Sequence, residues 1–277
     1  DPIPSRGLGD VYKRQPSSDA GALLALAERL ELLLSIFAKG QRPTGSSDPY
    51  ALRRAGNGIV QILWDRGWRL PLQALLGKAA HHWAGLFPAF QFDATSLAND
   101  LGQLLRQRMV SQFEDDGFPP DLVQAVSGEG VSSARLLQDP IDARERLLLL
   151  QDLRADGRLQ AVQAVVQRAS KLAEKGDLDS SQLVPDRVIK ASLFGSPSES
   201  DLLKQLETLS PLAEACDYEG LASELQGAAR ALEAFFDGEN SVMVMAEDEA
   251  VRRNRLNLLG VLRNQASVLA CFDNIQS

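Results

Sequence analysis

Four arginines near the end of the sequence have the chemistry to bind a nucleic acid. Arg252, Arg253, Arg255 and Arg263 follow the acidic run 247–249 within one predicted helix. Guanidinium groups hydrogen-bond to phosphates and stack on unpaired bases, so such a cluster can contact RNA. A solvated helix face is the ordinary alternative, and acids followed by bases also suit the helix macrodipole. From the charges alone, the solvated face is favoured.

The other reactive side chains do not form a catalytic or metal-binding pattern. His81 and His82 are the only histidines, and neighbouring helical positions point about 100° apart. The pair therefore cannot hold one metal ion as i, i+4 histidines do, and the acids at 247–249 diverge in the same way. The sequence contains no phosphate-binding glycine loop, CxxC pair, HExxH motif or nucleophile elbow. We therefore predict no catalytic residue, no metal site, and structural or surface histidines.

The elements that position these side chains are predicted to be helices. Apolar residues make up 44% of the sequence and aromatic residues only 6%, which favours helix packing. Apolar positions recur at helical spacing from Ala22 to Lys39 and along most of the remaining sequence. The buried stripe predicted for the last helix consists of Val251, Leu258, Leu259, Leu262, Ala266 and Leu269. Arg255 lies close to this stripe and is expected to be partly packed, whereas the other three arginines lie beside or opposite it.

Local signals predict several helix starts and one connection. Asp48 is predicted to cap a helix that has Pro49 at its first position, and residues 198–201 fit a capping box. The leucine run 147–150 is predicted to be deeply buried, because its helix is apolar on all sides there. The run 242–245 is too short for a sheet, so we expect an extended connector that buries one of its two methionines.

The net charge of −8 does not exclude a nucleic-acid partner, because the acidic excess is local. Residues 199–239 contain ten acids and two bases, whereas residues 144–175 contain seven bases and four acids. A binder can present its basic faces and keep the acidic helices outside the interface. The sequence has no apolar run of roughly 18–20 residues and no cleavable leader, so we expect a cytoplasmic protein without a membrane partner. In that compartment Cys216 and Cys271 are predicted to be reduced and buried.

Two motifs resemble one known family. The run FFDGENSVMVMAEDEAVRRNRLNLL at 235–259 resembles the C-terminal anticodon-binding domain of bacterial glycyl-tRNA synthetase β subunits, a helical domain also found at the end of arginyl-tRNA synthetases. The run PTGSSDPYALRRA at 43–55 resembles a signature at the end of the HD-like helical region of the same β subunits. The two motifs occur in the family's order, which strengthens the resemblance.

The resemblance implies an all-α fold, in which a multi-helix HD-like and connecting region precedes a helical-bundle anticodon-binding domain. On this basis we predict that residues 16–135 form the end of the HD-like region with connecting helices. Residues 136–277 are predicted to form an anticodon-binding domain of the DALR type. Residues 1–15 do not share the helical pattern and resemble translated adapter sequence, so we expect a foreign or disordered leader, with a natural flexible arm as the alternative.

The resemblance also implies a function. Family members recognise the anticodon of glycine tRNA and work with an α subunit in an α2β2 assembly that charges glycine onto tRNA. ATP and Mg²⁺ are used through the α subunit, so no cofactor and no catalytic group is expected in this chain, which makes it an enzyme only as a subunit.

The residues predicted to bind tRNA are Arg252, Arg253, Arg255, Arg263, Arg53 and Arg54. For Arg53 and Arg54, a solvated helix face or an ion pair that holds the preceding loop is the alternative. The rival function for the chain is a helical protein-interaction scaffold that does not bind RNA. A metal-dependent phosphohydrolase is disfavoured, because the sequence lacks the separated histidines and paired aspartates that its metal needs.

Overall fold

A computed structural model describes residues 18–45, 47–128, 131 and 133–276 of the protein. The chain divides into two compact units, of which the first runs to Gly117 and takes in Ser132–Arg144. The second unit comprises Phe118–Val131 and Glu145–Ser277. The predicted leader 1–15 lies outside the described residues. The predicted division into 16–135 and 136–277 concerns family domains, which compactness does not define, and it stays a prediction.

Eleven α-helices and two short 3-10 helices form the regular structure of the described residues, which contain no β-strand. The α-helices are α1 (Asp19–Ala38), α2 (Leu52–Arg66), α3 (Leu72–Leu86), α4 (Ala94–Asp115), α5 (Pro120–Ser127), α6 (Ser133–Gln138), α7 (Pro140–Ala155), α8 (Arg158–Ala173), α9 (Pro197–Glu214), α10 (Tyr218–Phe236) and α11 (Glu249–Ser267). The 3-10 helices are Ala191–Leu193 and Phe272–Asn274. The predicted all-α fold is therefore confirmed.

Helix α4 lies at the centre of the first unit. It packs against α1, α2, α3 and α6, and its apolar side chains Leu101, Leu105 and Phe113 are fully buried. Phe113 stacks on Trp64 of α2, with ring centroids 4.9 Å apart. The Asp93 carboxylate accepts a hydrogen bond from the Ser96 N–H and so caps the first turn of this helix.

The start of α2 differs from the prediction. Asp48 does bind the helix, since its two carboxylate oxygens accept hydrogen bonds from the N–H groups of Leu52 and Arg53 at 2.8 and 3.0 Å. However, the helix begins at Leu52, after Ala51 has taken a left-handed conformation with φ 55°. Pro49 therefore lies in the turn before the helix and not at its first position. The carboxylate reaches forward four and five residues, a geometry that the expected cap spacing did not include.

The second unit contains a four-helix bundle formed by α8, α9, α10 and α11. Helices α8 and α9 each pack against both α10 and α11. The interior consists of fully buried apolar side chains such as Val162, Leu206, Leu225, Phe235 and Leu259. Burying such side chains is the main source of stability for amphipathic helices in a bundle. The bundle therefore fixes one face of α11 and leaves the other available for polar contacts.

Helix α7 is less completely buried than the sequence predicted. Leu147 and Leu150 are fully buried, but Leu148 is 42% exposed, so the leucine run does not bury all its side chains. Four consecutive helical positions cover all sides of a helix, and one of them points toward solvent here. The helix ends at Ala155 because Gly157 adopts φ 82°, a left-handed conformation that glycine tolerates, and α8 then begins at Arg158.

Candidate nucleic-acid interface

The candidate interface is built on α11, which begins at Glu249, two residues after the start of the acidic run that was expected to open it. The Asp248 carboxylate caps the helix by accepting a hydrogen bond from the Val251 N–H at 3.0 Å, and Glu249 adds negative charge to the first turn. The predicted apolar stripe is buried from Leu258 to Leu269, whereas Val251 is only half-buried. Asp248 and Glu249 therefore stabilise the start of the helix, whereas Glu247 precedes it.

The sequence did not reveal that α11 also buries four amide side chains, of Asn254, Asn257, Asn264 and Gln265. The first two bind the main chain of the segment 177–190, which we call the anchored loop. Asn254 accepts a hydrogen bond from the Lys190 N–H at 2.7 Å and donates one to the Lys190 carbonyl at 3.1 Å. Asn257 donates to the Val188 carbonyl at 2.7 Å.

Farther along α11 the same kind of contact is repeated. Asn264 donates to the carbonyl oxygens of Asp179 and Gln182 at 2.8 and 3.0 Å. Gln265 donates to the Leu183 carbonyl at 2.7 Å and is fully buried. Backbone groups buried by a loop need partners, and these amides supply them. The four side chains together hold the anchored loop along the whole length of α11.

Arg255 forms a buried ion pair with Glu199. Its guanidinium Nε lies 2.8 Å from Glu199 Oε1, and the two side chains are 12% and 0% exposed. Glu199 Oε2 also accepts hydrogen bonds from the N–H groups of Gly195 and Ser196 at 2.7 and 3.0 Å. The expectation that Arg255 is partly packed is confirmed, and its pairing makes it the least available of the four arginines. Its role in tRNA binding stays a prediction.

The same contacts correct the predicted capping box. Ser196, not Ser198, precedes the first turn of α9, which has Pro197 at its first position. Glu199 is the acid of the box, and it turns back to the Ser196 N–H. The sequence pattern was read two residues too late, because Pro197 was placed in the preceding loop although proline suits the first helical position.

The other arginines of α11 differ in exposure. The Arg253 side chain is 65% exposed and pairs with Asp177 at 2.8 Å. Arg252 and Arg263 are half-buried, and each donates to a main-chain carbonyl, of Ala246 at 3.1 Å and of Leu178 at 3.4 Å respectively. Arg253 is therefore the member of the cluster that is most accessible to a ligand.

Arg53 and Arg54 lie on α2 in the first unit and so do not share an element with the other four. Arg53 donates to the Gly45 carbonyl at 2.7 Å and holds the loop before α2, whereas Arg54 is exposed. This contact matches the alternative of a loop-holding residue for Arg53, although its partner is a carbonyl and not an acid. For both residues tRNA binding stays a prediction.

The connector 242–245 contains no strand, as expected, but it bends at Val244 and Met245. Val244 is 7% exposed, whereas Met243 and Met245 are 74% and 44% exposed. The connector therefore buries its valine, and the expectation that it buries a methionine was wrong. The main chain of the connector is held by Arg255, which donates to the Met243 carbonyl at 2.9 Å.

A cavity of about 690 Å³ opens between the anchored loop and the first turns of α11. Its lining includes two cations that sequence reasoning did not select, Arg187 and Lys190, both exposed. Arg187 has φ 71°, which is uncommon for a residue with a side chain. The only sequence signal for these residues was the polar, turn-rich composition of the segment, which does not indicate where a loop will lie.

Hydrogen bonds keep several acids around the bundle ionised. The Ser181 hydroxyl and N–H hydrogen-bond to Asp179 and lower the pKa of its carboxyl. Arg168, which also lies over the Phe236 ring, lowers the pKa of Asp237 in the same way. These carboxylates are negatively charged at neutral pH. A nucleic acid would therefore meet both signs of charge on this unit.

The remaining candidate residues are the two histidines and the two cysteines. His81 and His82 are both exposed, and within the described ranges no three His, Cys, Asp or Glu side chains are grouped closely enough to hold a metal ion. Both cysteines are free thiols, but Cys216 is exposed and Cys271 half-buried, so the prediction that both are buried was wrong. Cys216 follows α9 in a left-handed conformation with φ 54° at the turn between helices. Among the described helices, none combines the length and apolarity needed to cross a membrane.

Two family models match the chain. A model described as glycyl-tRNA synthetase beta subunit matches residues 10–128, and a model described as DALR anticodon binding domain matches residues 162–270. The first match begins at residue 10, so it includes the end of the segment 1–15. The second match begins within α8 and ends just beyond α11.

Curated relatives carry a consistent description. The chain is 43% identical over 266 residues to the glycine–tRNA ligase beta subunit of Picosynechococcus sp., which covers 94% of this chain and 37% of that protein. It is 42% identical over 265 residues to the same subunit of Acaryochloris marina, with 94% and 37% covered. With the Streptococcus mutans subunit it shares 34% identity over 264 residues, with 95% and 35% covered. The chain thus spans little more than a third of the length of these relatives. It belongs to the glycyl-tRNA synthetase β subunit family.

Proposed function

We propose that this chain is the anticodon-recognising part of a glycine–tRNA ligase β subunit. The observation that carries the proposal is the agreement between the DALR anticodon-binding match at 162–270 and the bundle of α8–α11. The match includes almost all of α8 and the whole of the other three helices. It also includes the anchored loop and the arginines of α11. The matched range therefore contains most of the bundle together with the candidate interface on α11.

Arg253 is the arginine of α11 best suited to contact RNA. Its ion pair with Asp177 is exposed, with 65% and 66% of the two side chains accessible. Exposed pairs contribute only about 0–1 kcal/mol, so a tRNA phosphate can replace Asp177 at little cost. Arg252 and Arg263 need to give up contacts with main-chain carbonyls before they can bind RNA. Arg255 is largely buried and stabilises the bundle through its ion pair with Glu199.

The relatives' description as glycine–tRNA ligase beta subunits supports a proposal for the activity of the whole protein. We propose that the chain supports ATP-dependent glycylation of tRNA in the cytoplasm, together with an α subunit in an α2β2 assembly. ATP and Mg²⁺ are assigned to the α subunit. The contribution of this chain in this proposal is recognition of tRNA.

Filter binding tests the proposal directly. The chain is titrated with glycine tRNA and with variants in which the anticodon bases are replaced, at moderate salt. We expect weaker binding of the anticodon variants, and equal affinity for all of them would refute anticodon recognition. Arg253→Met is expected to weaken binding about tenfold, by loss of a charge-assisted phosphate contact. Arg230→Met, which removes an exposed arginine from α10, is the matched control and should have little effect.

The exposed leucines of α1 favour the alternative of a protein-interaction scaffold. Leu23 and Leu24 are 60% and 72% exposed, which is unusual for neighbouring apolar residues unless a partner covers them. Salt distinguishes the two functions, because the logarithm of an RNA-binding constant falls by about 0.7 per neutralised phosphate for each unit in log salt. Apolar docking lacks this dependence. No measurable binding of tRNA at any salt concentration would favour the scaffold.

A further inference from the structure

An arginine without a partner lies at the contact between α2 and α4. Arg108 is half-buried, and it forms no hydrogen bond or ion pair with any residue that the structure describes. Its Nε is fully enclosed. Other arginines of the same unit pair with acids, as in Arg42–Asp100 at 2.6 Å, Arg66–Asp19 at 3.3 Å and Arg69–Asp139 at 2.5 Å. Arg108 therefore has hydrogen-bonding capacity that the fold does not use.

A second arginine without an acidic partner lies next to Arg108. Arg53 of α2 is half-buried, and among the described residues it donates only to the Gly45 carbonyl, at 2.7 Å. The Arg108 side chain crosses α2 at Gly56, since a Cβ at this glycine would lie 2.9 Å from Arg108 Cγ. Positions three and four residues apart lie on the same side of a helix, so Arg53 and the crossing point share one face of α2.

Asn57, one turn after Arg53 on the same face, also has an unmet polar atom. Its Oδ1 is enclosed and has no hydrogen-bond partner within the described ranges. The same face of α2 thus holds an unmet acceptor beside the unmet donor of Arg108. Native structures seldom retain such atoms unless an ion, a ligand or ordered water meets the polar groups of the site.

The positive charges of the two arginines act on each other. Burial, and then the neighbouring charge of Arg53, lower the pKa of the Arg108 guanidinium. Asp115 and Asp48 act in the opposite direction but do not cancel these effects. The Asp48 carboxylate is already engaged, because it accepts hydrogen bonds from two N–H groups at the start of α2, at 2.8 and 3.0 Å. A bound anion would stabilise the charged form of Arg108.

The charge of the pair indicates the class of anion. A phosphate monoester carries about −1.5 to −2 at pH 7, which matches two guanidinium groups, whereas a phosphodiester carries a single charge. Guanidinium groups present parallel N–H donors that suit phosphate oxygens. Because both side chains are half-buried, their attraction to such a dianion is less weakened by water than on an open surface.

We propose that Arg53 and Arg108 form a binding site for a dianionic phosphate group, either inorganic phosphate or the phosphate monoester of a nucleotide. The phosphate oxygens accept hydrogen bonds from both guanidinium groups and so bridge α2 and α4. The site is contained within the first unit, so the inference does not depend on anticodon recognition by the second.

Titration of the whole chain with inorganic phosphate, followed by amide NMR at constant ionic strength, tests the site. The amide signals of Arg53, Asn57 and Arg108 should shift and reach saturation. The nucleotide 5′-AMP should bind at least about fivefold more tightly than the dinucleoside monophosphate ApA, which has only a phosphodiester. Adenosine, which lacks phosphate, should leave these signals unchanged.

The same titrations distinguish the two sources of the phosphate group. Tighter binding of 5′-AMP than of inorganic phosphate would support a nucleotide site, and equal binding would support a site for the phosphate group alone. Shifts that do not saturate, equal binding of 5′-AMP and ApA, or shifts caused by adenosine would each overturn the proposal.

Gly56→Ala tests the position of Arg108 without changing any charge. The added methyl group would lie against Arg108 Cγ, so the arginine has to move, and phosphate binding should weaken about fivefold. Gly77→Ala on α3 is the matched control, because a Cβ there would meet no atom within 4 Å, and its phosphate affinity should be unchanged.

Arg108→Met removes the cation itself and should weaken phosphate binding about tenfold. Its Tm should not decrease, because the guanidinium has no partner to lose among the described residues. Lys78→Met, which removes an exposed cation from α3 of the same unit, is the control for charge and should bind phosphate normally. A folded Arg108→Met chain with unchanged phosphate affinity would overturn the proposal, even if Gly56→Ala failed to fold.

Discussion

Removal of the Arg255 guanidinium is expected to destabilise the second unit strongly. Arg255→Met keeps much of the side-chain volume but leaves the Glu199 carboxylate, which is fully buried, without its cation. Breaking a buried ion pair by removing one partner typically costs about 3–5 kcal/mol. We expect about 3 kcal/mol here, because two N–H groups, of Gly195 and Ser196, continue to bind the carboxylate.

Thermal unfolding followed by circular dichroism measures this cost. At about 2–4 °C per kcal/mol for a protein of this size, 3 kcal/mol corresponds to a decrease in Tm of roughly 6–12 °C. Arg253→Met is the control on the same helix, and its exposed pair with Asp177 should contribute less than about 0.5 kcal/mol. Combining Arg255→Met with Glu199→Gln should recover part of the loss, since a neutral amide keeps an acceptor for the two N–H groups.

Two results would contradict this expected loss of stability. A Tm for Arg255→Met within about 2 °C of the unchanged chain would mean that the buried carboxylate does not need its cation. An equal decrease for Arg253→Met would mean that burial does not distinguish the two pairs. After either result, Arg255 would be as suitable a tRNA ligand as the other arginines of α11.

Three other changes are expected to alter stability. Ala51→Gly should raise the free energy of unfolding by about 1 kcal/mol, because φ 55° strains alanine, and a lower melting temperature would contradict this. Asn264→Asp should cost about 3 kcal/mol or more in urea unfolding, since it turns a carboxylate toward two loop carbonyls, whereas the exposed Asn240→Asp should be nearly neutral. The Arg154 hydrogen bond lowers the pKa of Asp121 in the folded protein, so this carboxyl contributes stability above about pH 4 that is lost as pH falls further. Asp121→Asn should therefore lower stability at pH 7 and reduce its change between about pH 4 and pH 2 in acid unfolding, and an unchanged pH dependence would exclude this pair as a source.

Periodicity predicted most of the helices well, because an amphipathic helix carries its own signal. The acidic run 247–249 marked the start of α11 to within two residues. A helix start was misplaced where the capping side chain is several residues away from the helix. The Asp48 carboxylate, for example, binds N–H groups four and five positions farther along the chain. The capping box was predicted two residues too late for a different reason, since Pro197 was not recognised as the first helical residue.

The candidate site was only partly predictable. The sequence placed Arg252, Arg253 and Arg263 correctly outside the apolar stripe, and it indicated that Arg255 lies near it. It did not indicate that amides on the polar side of α11 are buried, because their partners are main-chain atoms of a loop without periodicity. Arg187 was missed for the same reason: its place beside α11 is decided by the fold of the loop.

The way in which α11 holds the anchored loop has a consequence for how this surface can change during evolution. Asn254, Asn257, Asn264 and Gln265 bind N–H and carbonyl groups, which every residue of the loop other than proline provides. A mutation in the loop that exchanges one side chain for another therefore leaves these bonds in place. The conformation of the loop is encoded mainly in the helix, while the side chains that the loop presents can vary independently. New ligand preferences can thus arise by single substitutions in the loop without a simultaneous loss of stability.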